Sequence, residues 1–124
     1  MGQILIIDDE AGMRQMLRTA LEDEGHEVME APDGETGQAL FRDNPTDVII
    51  TDMLMPGKEG IQTIRELLQD SPEAKIIAIS GGGIKASPVY LSAAEEFGAF
   101  RTFQKPFNIL ELVQAIEELI NAGS

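Results

Sequence analysis

A chain of 124 residues, 43% apolar and 25% charged, has the size and balance of one folded domain around a single core, which argues against disorder. Its formal net charge of −13 argues against direct nucleic-acid binding, because a phosphate backbone needs Lys/Arg patches. Absence of cysteine removes disulfides, thiolate zinc sites and thiol catalysis, and no apolar run approaches the ~20 residues of a membrane helix. The expectation is a soluble, cytoplasmic protein that does not engage a membrane.

The first apolar run, Gln3–Asp8, reads as a strand and ends in two acids, Asp8-Asp9. Met13, Met16, Leu17, Ala20 and Leu21 then recur at helical spacing, with Gly25 as the C-cap. His26, in a Gly-His-Glu turn, is expected to be a solvated surface residue. A second strand is predicted over Glu27–Ala31, followed by a helix capped by Asp33 that carries Ala39 and Leu40 and ends near Asn44-Pro45. The third strand, Asp47–Asp52, stops at another acid, and Ile61, Ile64, Leu67 and Leu68 stripe the helix after it. The fourth strand, Ala74–Ser80, runs into Gly81-Gly82-Gly83, which is a turn and not a Walker loop, since no Gly-Lys-Ser/Thr follows. Ser87 before Pro88 opens a fourth helix that ends at Gly98. The fifth strand, Phe100–Gln104, leads into Lys105-Pro106-Phe107. Asn108 and Glu111 are spaced to cap the last helix, which buries Ile109, Leu112, Val113, Ile116 and Ile120 and turns Glu111, Glu117 and Glu118 to solvent.

Strands one, three and four are almost continuously apolar, as interior strands of a parallel sheet covered on both faces should be; the second and fifth are more polar and suit the edges. Five strand–helix alternations with short connections predict an α/β fold, a (βα)5 doubly wound five-stranded parallel sheet, as one domain over residues 1–124.

In such sheets ligands bind beyond the carboxyl ends of the strands, where strand order reverses. Asp8, Asp9, Asp52, Ser80 and Lys105 all fall at that edge. Clustered carboxylates repel one another and are relieved by a shared cation, and an all-oxygen site suits Mg2+. Asp9 and Asp52 are the candidate Mg2+ ligands, with Asp8 acting through bound water. A carboxylate can also attack a phosphoryl group to form an acyl phosphate, whose oxygens Lys105 and the Ser80 hydroxyl would hold. Taken singly, each residue has a plainer meaning: Asp8 or Asp9 as a helix cap, Asp52 in a turn with Pro56-Gly57, Ser80 as loop chemistry.

This ordered set, Asp8-Asp9, Asp52 within TDMLMPGKEG, Ser80-Gly81 and Lys105-Pro106-Phe107, resembles the response-regulator receiver domain of two-component systems along essentially the whole chain. The resemblance implies a flavodoxin-like strand order 2-1-3-4-5. It implies that Asp52 is the phosphoacceptor, that Asp9, Asp52 and the Leu54 backbone carbonyl bind Mg2+ with Asp8 supporting, and that Ser80 and Phe103 are switch residues. It implies a histidine kinase or histidine phosphotransfer protein as phosphodonor, and a downstream protein met by the fourth helix, fifth strand and fifth helix, with Tyr90 and Arg101 exposed there. The domain would catalyse its own phosphorylation and slow dephosphorylation without being a turnover enzyme, as a monomer or weak dimer. Phe103 stands where tyrosine is frequent in this family, and is equally suited to a plain core role. Leu54 and Gly82 offer no carboxylate or amide to orient water, so the phosphoryl group should hydrolyse slowly, and faster after Leu54→Asn.

Two other classes fit less well. A phosphatase using Asp8 as nucleophile would want an acid two residues on, where Glu10 comes too early. A flavin module would need a Ser/Thr-rich phosphate loop where Asp8-Asp9 stands. A receiver that only docks is disfavoured because the required residues are all present. The chain is expected to be a stand-alone regulator rather than a piece of a larger one.

Overall fold

The computed structural model describes residues 2–53, 60–80, 95–96, 98–105 and 107–122. Five strands, β1 (Gln3–Ile7), β2 (Glu27–Ala31), β3 (Val48–Asp52), β4 (Lys75–Ser80) and β5 (Arg101–Gln104), form one parallel sheet in the order β2-β1-β3-β4-β5. Between and after them lie α1 (Ala11–Asp23), α2 (Gly34–Asp43), α3 (Gly60–Asp70) and the C-terminal helix α4 (Ile109–Ala122). The predicted helix from Ser87 lies outside the described residues apart from its helical end at Glu95 and Glu96 and the following Gly98.

Side chains of a strand alternate between faces, and the two cores follow that period. Ile4 and Ile6 of β1 join Leu17 and Leu21 of α1 and Leu112, Val113 and Ile116 of α4 on one face. Leu5 and Ile7 join Phe41 of α2 and Ile64 and Leu67 of α3 on the other. Both faces of the sheet are therefore covered, which is why its central strands can be apolar at every position.

Local chemistry sets the ends of the helices. Gly25 takes φ 91° after α1, and its N–H and that of His26 bond the carbonyls of Glu22 and Leu21, closing the helix in a left-handed turn that glycine adopts at least cost. Asp33 caps α2 by accepting from the Thr36 N–H at 2.7 Å, and Asn108 Oδ1 accepts from the Leu110 N–H at 2.8 Å at the start of α4. Gly37 lets α2 lie close on β1, since a Cβ there would come within 2.5 Å of Ile7 Cδ1.

Two surface expectations are corrected. His26 is buried: its Nδ1 accepts from the Gly2 N–H at 3.1 Å, and its Nε2 meets the Glu117 carboxylate at 2.9 Å. Glu117 is correspondingly half-buried and engaged rather than part of a solvated face, whereas Glu111 and Glu118 are exposed. The turn before β2 folds under the C-terminal helix, and that long-range contact leaves no mark on the local sequence.

Candidate functional site

Register brings the site together. Ile7 pairs with Thr51 and Asp52 with Ile79, so Asp8 and Asp52 leave adjacent strands at the same level. Ser80 pairs with Gln104, and the next residue, Lys105, donates its backbone N–H to the Ser80 carbonyl at 2.8 Å. Asp8, Asp52 and Lys105 continue the alternation of Ile6, Ile50 and Phe103, all on the α1–α4 face, so their side chains meet over one end of the sheet.

The Lys105 ammonium lies 3.5 Å from Asp8 Oδ2, 3.6 Å from Asp52 Oδ2 and 3.1 Å from Glu10 Oε1. Asp8 and Asp52 are buried, and Asp9 and Glu10 are exposed at the mouth. Burial pushes the Asp8 carboxyl above its ordinary pKa, although the Glu10 N–H, which donates to Asp8 Oδ1 at 2.8 Å, and the Lys105 charge oppose the shift. Burial pulls the Lys105 ammonium down, and Asp52, Asp8 and Glu10 together outweigh it, holding the lysine above its usual range and charged.

Asp8, Asp9, Glu10 and Asp52 each offer a carboxylate oxygen, all within 4.8 Å of one another. Four carboxylates against one ammonium leave an excess of negative charge, and hard oxygen donors in that number suit Mg2+. The raised Asp8 pKa comes mainly from burial, which the Glu10 N–H and Lys105 do not fully offset. The residues present therefore fit a Mg2+ ion.

Of the residues singled out in the sequence, Asp8, Asp9, Asp52 and Lys105 are brought together; Leu54 and Tyr90 lie outside the described residues. Ser80 is fully buried at the end of β4. Phe103 is buried too, with the Arg101 guanidinium 4.9 Å from its ring centre and Phe107 tilted against it at 6.1 Å. Glu10, which in sequence is only an acid wrongly placed for a phosphatase, joins the cluster, and the run Asp8-Asp9-Glu10 is the signal for it. The helix-cap reading of Asp8 and Asp9 does not hold, since Glu10 occupies the N-cap position of α1 and makes no side-chain cap bond.

The sequence matches the family model for the response regulator receiver domain over residues 4–117. The chain belongs to the response-regulator receiver family. It is similar to the chemotaxis protein CheY of Thermotoga maritima, 33% identical over 118 residues that cover 94% of this chain and 96% of that protein. It is also 34% identical to the DNA-binding transcriptional regulator NtrC of Azospirillum brasilense, over 98% of this chain and 24% of that protein. With the transcriptional regulatory protein CpxR of Klebsiella pneumoniae it shares 35% identity, over 97% of this chain and 50% of CpxR. This receiver thus spans a quarter to a half of the length of those two regulators. A response regulator receiver domain protein from Clostridium thermocellum has the same fold, with a TM-score of 0.91 at 33% identity, over 99% of this chain and 97% of that one. Receivers are the phosphoacceptors of two-component systems, and they work between histidine kinases and downstream effectors. No helix among the described residues is long and apolar enough to cross a membrane.

Proposed function

We propose that this receiver accepts a phosphoryl group on Asp52 from a histidine kinase or phosphotransfer protein in a Mg2+-dependent reaction. The observation that carries the reading is a buried Asp52 carboxylate 3.6 Å from Lys105, beside Asp8 at the reversal of strand order. An Asp52 oxygen attacks phosphorus; the new O–P bond forms as the P–N bond of phosphohistidine breaks, and the imidazole leaves with the electron pair. Lys105 is held charged beside the nucleophile, where it can take up a phosphoryl oxygen. Mg2+ held by Asp9 and Asp52, with Asp8 supporting through water and the Leu54 carbonyl completing the set, would neutralise charge on the transferring oxygens. Asp8, already short of compensation, orients the neighbouring loop through its bond to the Glu10 N–H.

The acyl phosphate then biases the half of the domain that follows Ser80. The Ser80 hydroxyl turns towards the new dianion, and the adjacent chain repacks around β5. Burial of Phe103 supports a modest role for that ring, because its inward position is already filled. Arg101, exposed on β5, is the described residue best set to report the change to a downstream protein. The domain is a switch rather than a turnover enzyme.

The test is incubation with acetyl phosphate and Mg2+, followed by intact-mass measurement. A single hydroxylamine-labile phosphoryl adduct, lost in Asp52→Asn and on chelation of Mg2+, is expected. An adduct that persists in Asp52→Asn contradicts the assignment.

A further inference from the structure

Arg14 lies one turn into α1 and contacts no carboxylate of the site, yet its guanidinium holds the loop that carries them. Nη1 donates to the Asp8 backbone carbonyl at 2.7 Å, and Nε donates to Glu30 Oε1 at 3.2 Å. Glu30 is on the edge strand β2, beside Ile6, on the face that α1 covers. Its other oxygen accepts from Arg18 Nη1 at 2.7 Å, and Arg18 Nε reaches Glu22 at 3.1 Å. A chain of charge-assisted bonds therefore runs from the surface of α1, through a strand, to the main chain at the first acid.

Stability alone is a poor reason for this arrangement. The Arg14 and Glu30 side chains are only 18% and 26% exposed, and desolvating such a pair offsets much of its attraction. An apolar pair in the same space would cover β2 about as well. The geometry has a different consequence. Asp8 is fixed on three sides: its N–H donates to the Ala31 carbonyl at 3.1 Å, its carbonyl accepts from Arg14, and its Oδ1 accepts from the Glu10 N–H. Asp9 and Glu10 are exposed and are carried by this short stretch between β1 and α1. Their carboxylates can keep a common position only while that main chain does.

We infer that Arg14, oriented by Glu30, is a positioning residue that braces the Asp8–Glu10 loop so that its carboxylates meet Asp52 in a geometry ready for a divalent cation. The inference rests on the proposed Mg2+-dependent site and adds to it the pair of residues that preorganises it. Partners outside the ligand shell of a metal site typically change metal affinity by about 10–100-fold when removed, and a bond to main chain rather than to a ligand carboxylate belongs at the lower end of that range.

The experiment titrates the full chain with Mg2+ alone, following the Asp9 and Asp52 amide signals by NMR, with thermal melts recorded in chelator. Arg14→Met and the double variant Arg14→Met/Glu30→Met are compared with wild type, with Asp9→Asn as the site control. The double variant leaves no unpaired buried charge at this pair and is expected to melt close to wild type while its Mg2+ dissociation constant rises about tenfold. Mg2+ affinity within about twofold of wild type in both variants, with Asp9→Asn still impaired, overturns the brace alone. Failure of both variants to fold makes the network purely structural and also overturns it. A wild-type chain that shows no Mg2+-dependent shifts overturns the brace together with the site.

Discussion

Ionisation of Asp8 opposes folding. Its pKa is raised in the folded state, so the folded chain binds this proton more tightly than the unfolded one. The stability it contributes is complete below the ordinary aspartate range and is lost as pH rises through the raised value. Asp8→Asn is therefore expected to raise the melting temperature at neutral pH in chelator, and to weaken Mg2+ binding about tenfold if it supports the ion; differential scanning fluorimetry with and without Mg2+ reads both. Glu10 is different, because its carboxylate is exposed and its pairing with Lys105 is the shortest that lysine makes in the acid cluster. Lys105 keeps Asp8 and Asp52 beside it and the Glu10 carboxylate returns to solvent, so Glu10→Gln should change stability by no more than about 1 kcal/mol. It should release Lys105 towards Asp52 and speed labelling by acetyl phosphate up to about fivefold, an effect that added salt reduces. Asp8, Asp9 and Asp52 were legible because they end apolar runs, and Lys105 because it follows the last predicted strand, ahead of Pro106-Phe107. Glu10 and Arg14 were not, since their roles depend on which side chains the loop and β2 bring close to them.

At the scale of elements, the ends of the five strands were readable to within a residue. Gly25, Asp33 and Asn108 act where turn and cap chemistry put them, because those signals are local. Asp33 shows how much one cap contributes. Its bond to the Thr36 N–H lowers its pKa, so its contribution is complete above the ordinary aspartate pKa and disappears as pH falls through the lowered one. Asp33→Ala should cost about 0.5–2 kcal/mol at neutral pH and much less in acid, measured by urea unfolding at the two pH values. His26 departs from its local sequence signal for the opposite reason. A Gly-His-Glu turn is polar in sequence, and only the packing of α4 over it buries the ring between Gly2 and Glu117. Burial of Phe103 likewise comes from tertiary contacts with α4 and Phe107, which β-strand alternation alone could not distinguish from an exposed edge position.

For the whole molecule, two apolar cores hold a sheet rigid beneath a site that carries surplus negative charge at one edge. The order β2-β1-β3-β4-β5 creates the crevice between β1 and β3, and the register then sets Asp8 level with Asp52. Strand–helix alternation indicated a doubly wound parallel sheet, while the particular strand order came from the resemblance to receiver domains. The net charge of −13 fits a domain relieved by a cation and read by protein partners. Mg2+ should stabilise the fold by about 2.7 kcal/mol at a hundred times its dissociation constant, as any ligand specific to the native state does.

The most direct test of a phosphoryl switch centred on Asp52 is amide NMR of the full chain with Mg2+ and beryllofluoride, a phosphoryl mimic, against an Asp52→Asn control. Shifts that spread from Asp52 through Ser80 and Lys105 to Phe103, and are absent in the variant, are expected. No response in the wild type, or the same response in Asp52→Asn, would rule out a phosphoryl switch at Asp52.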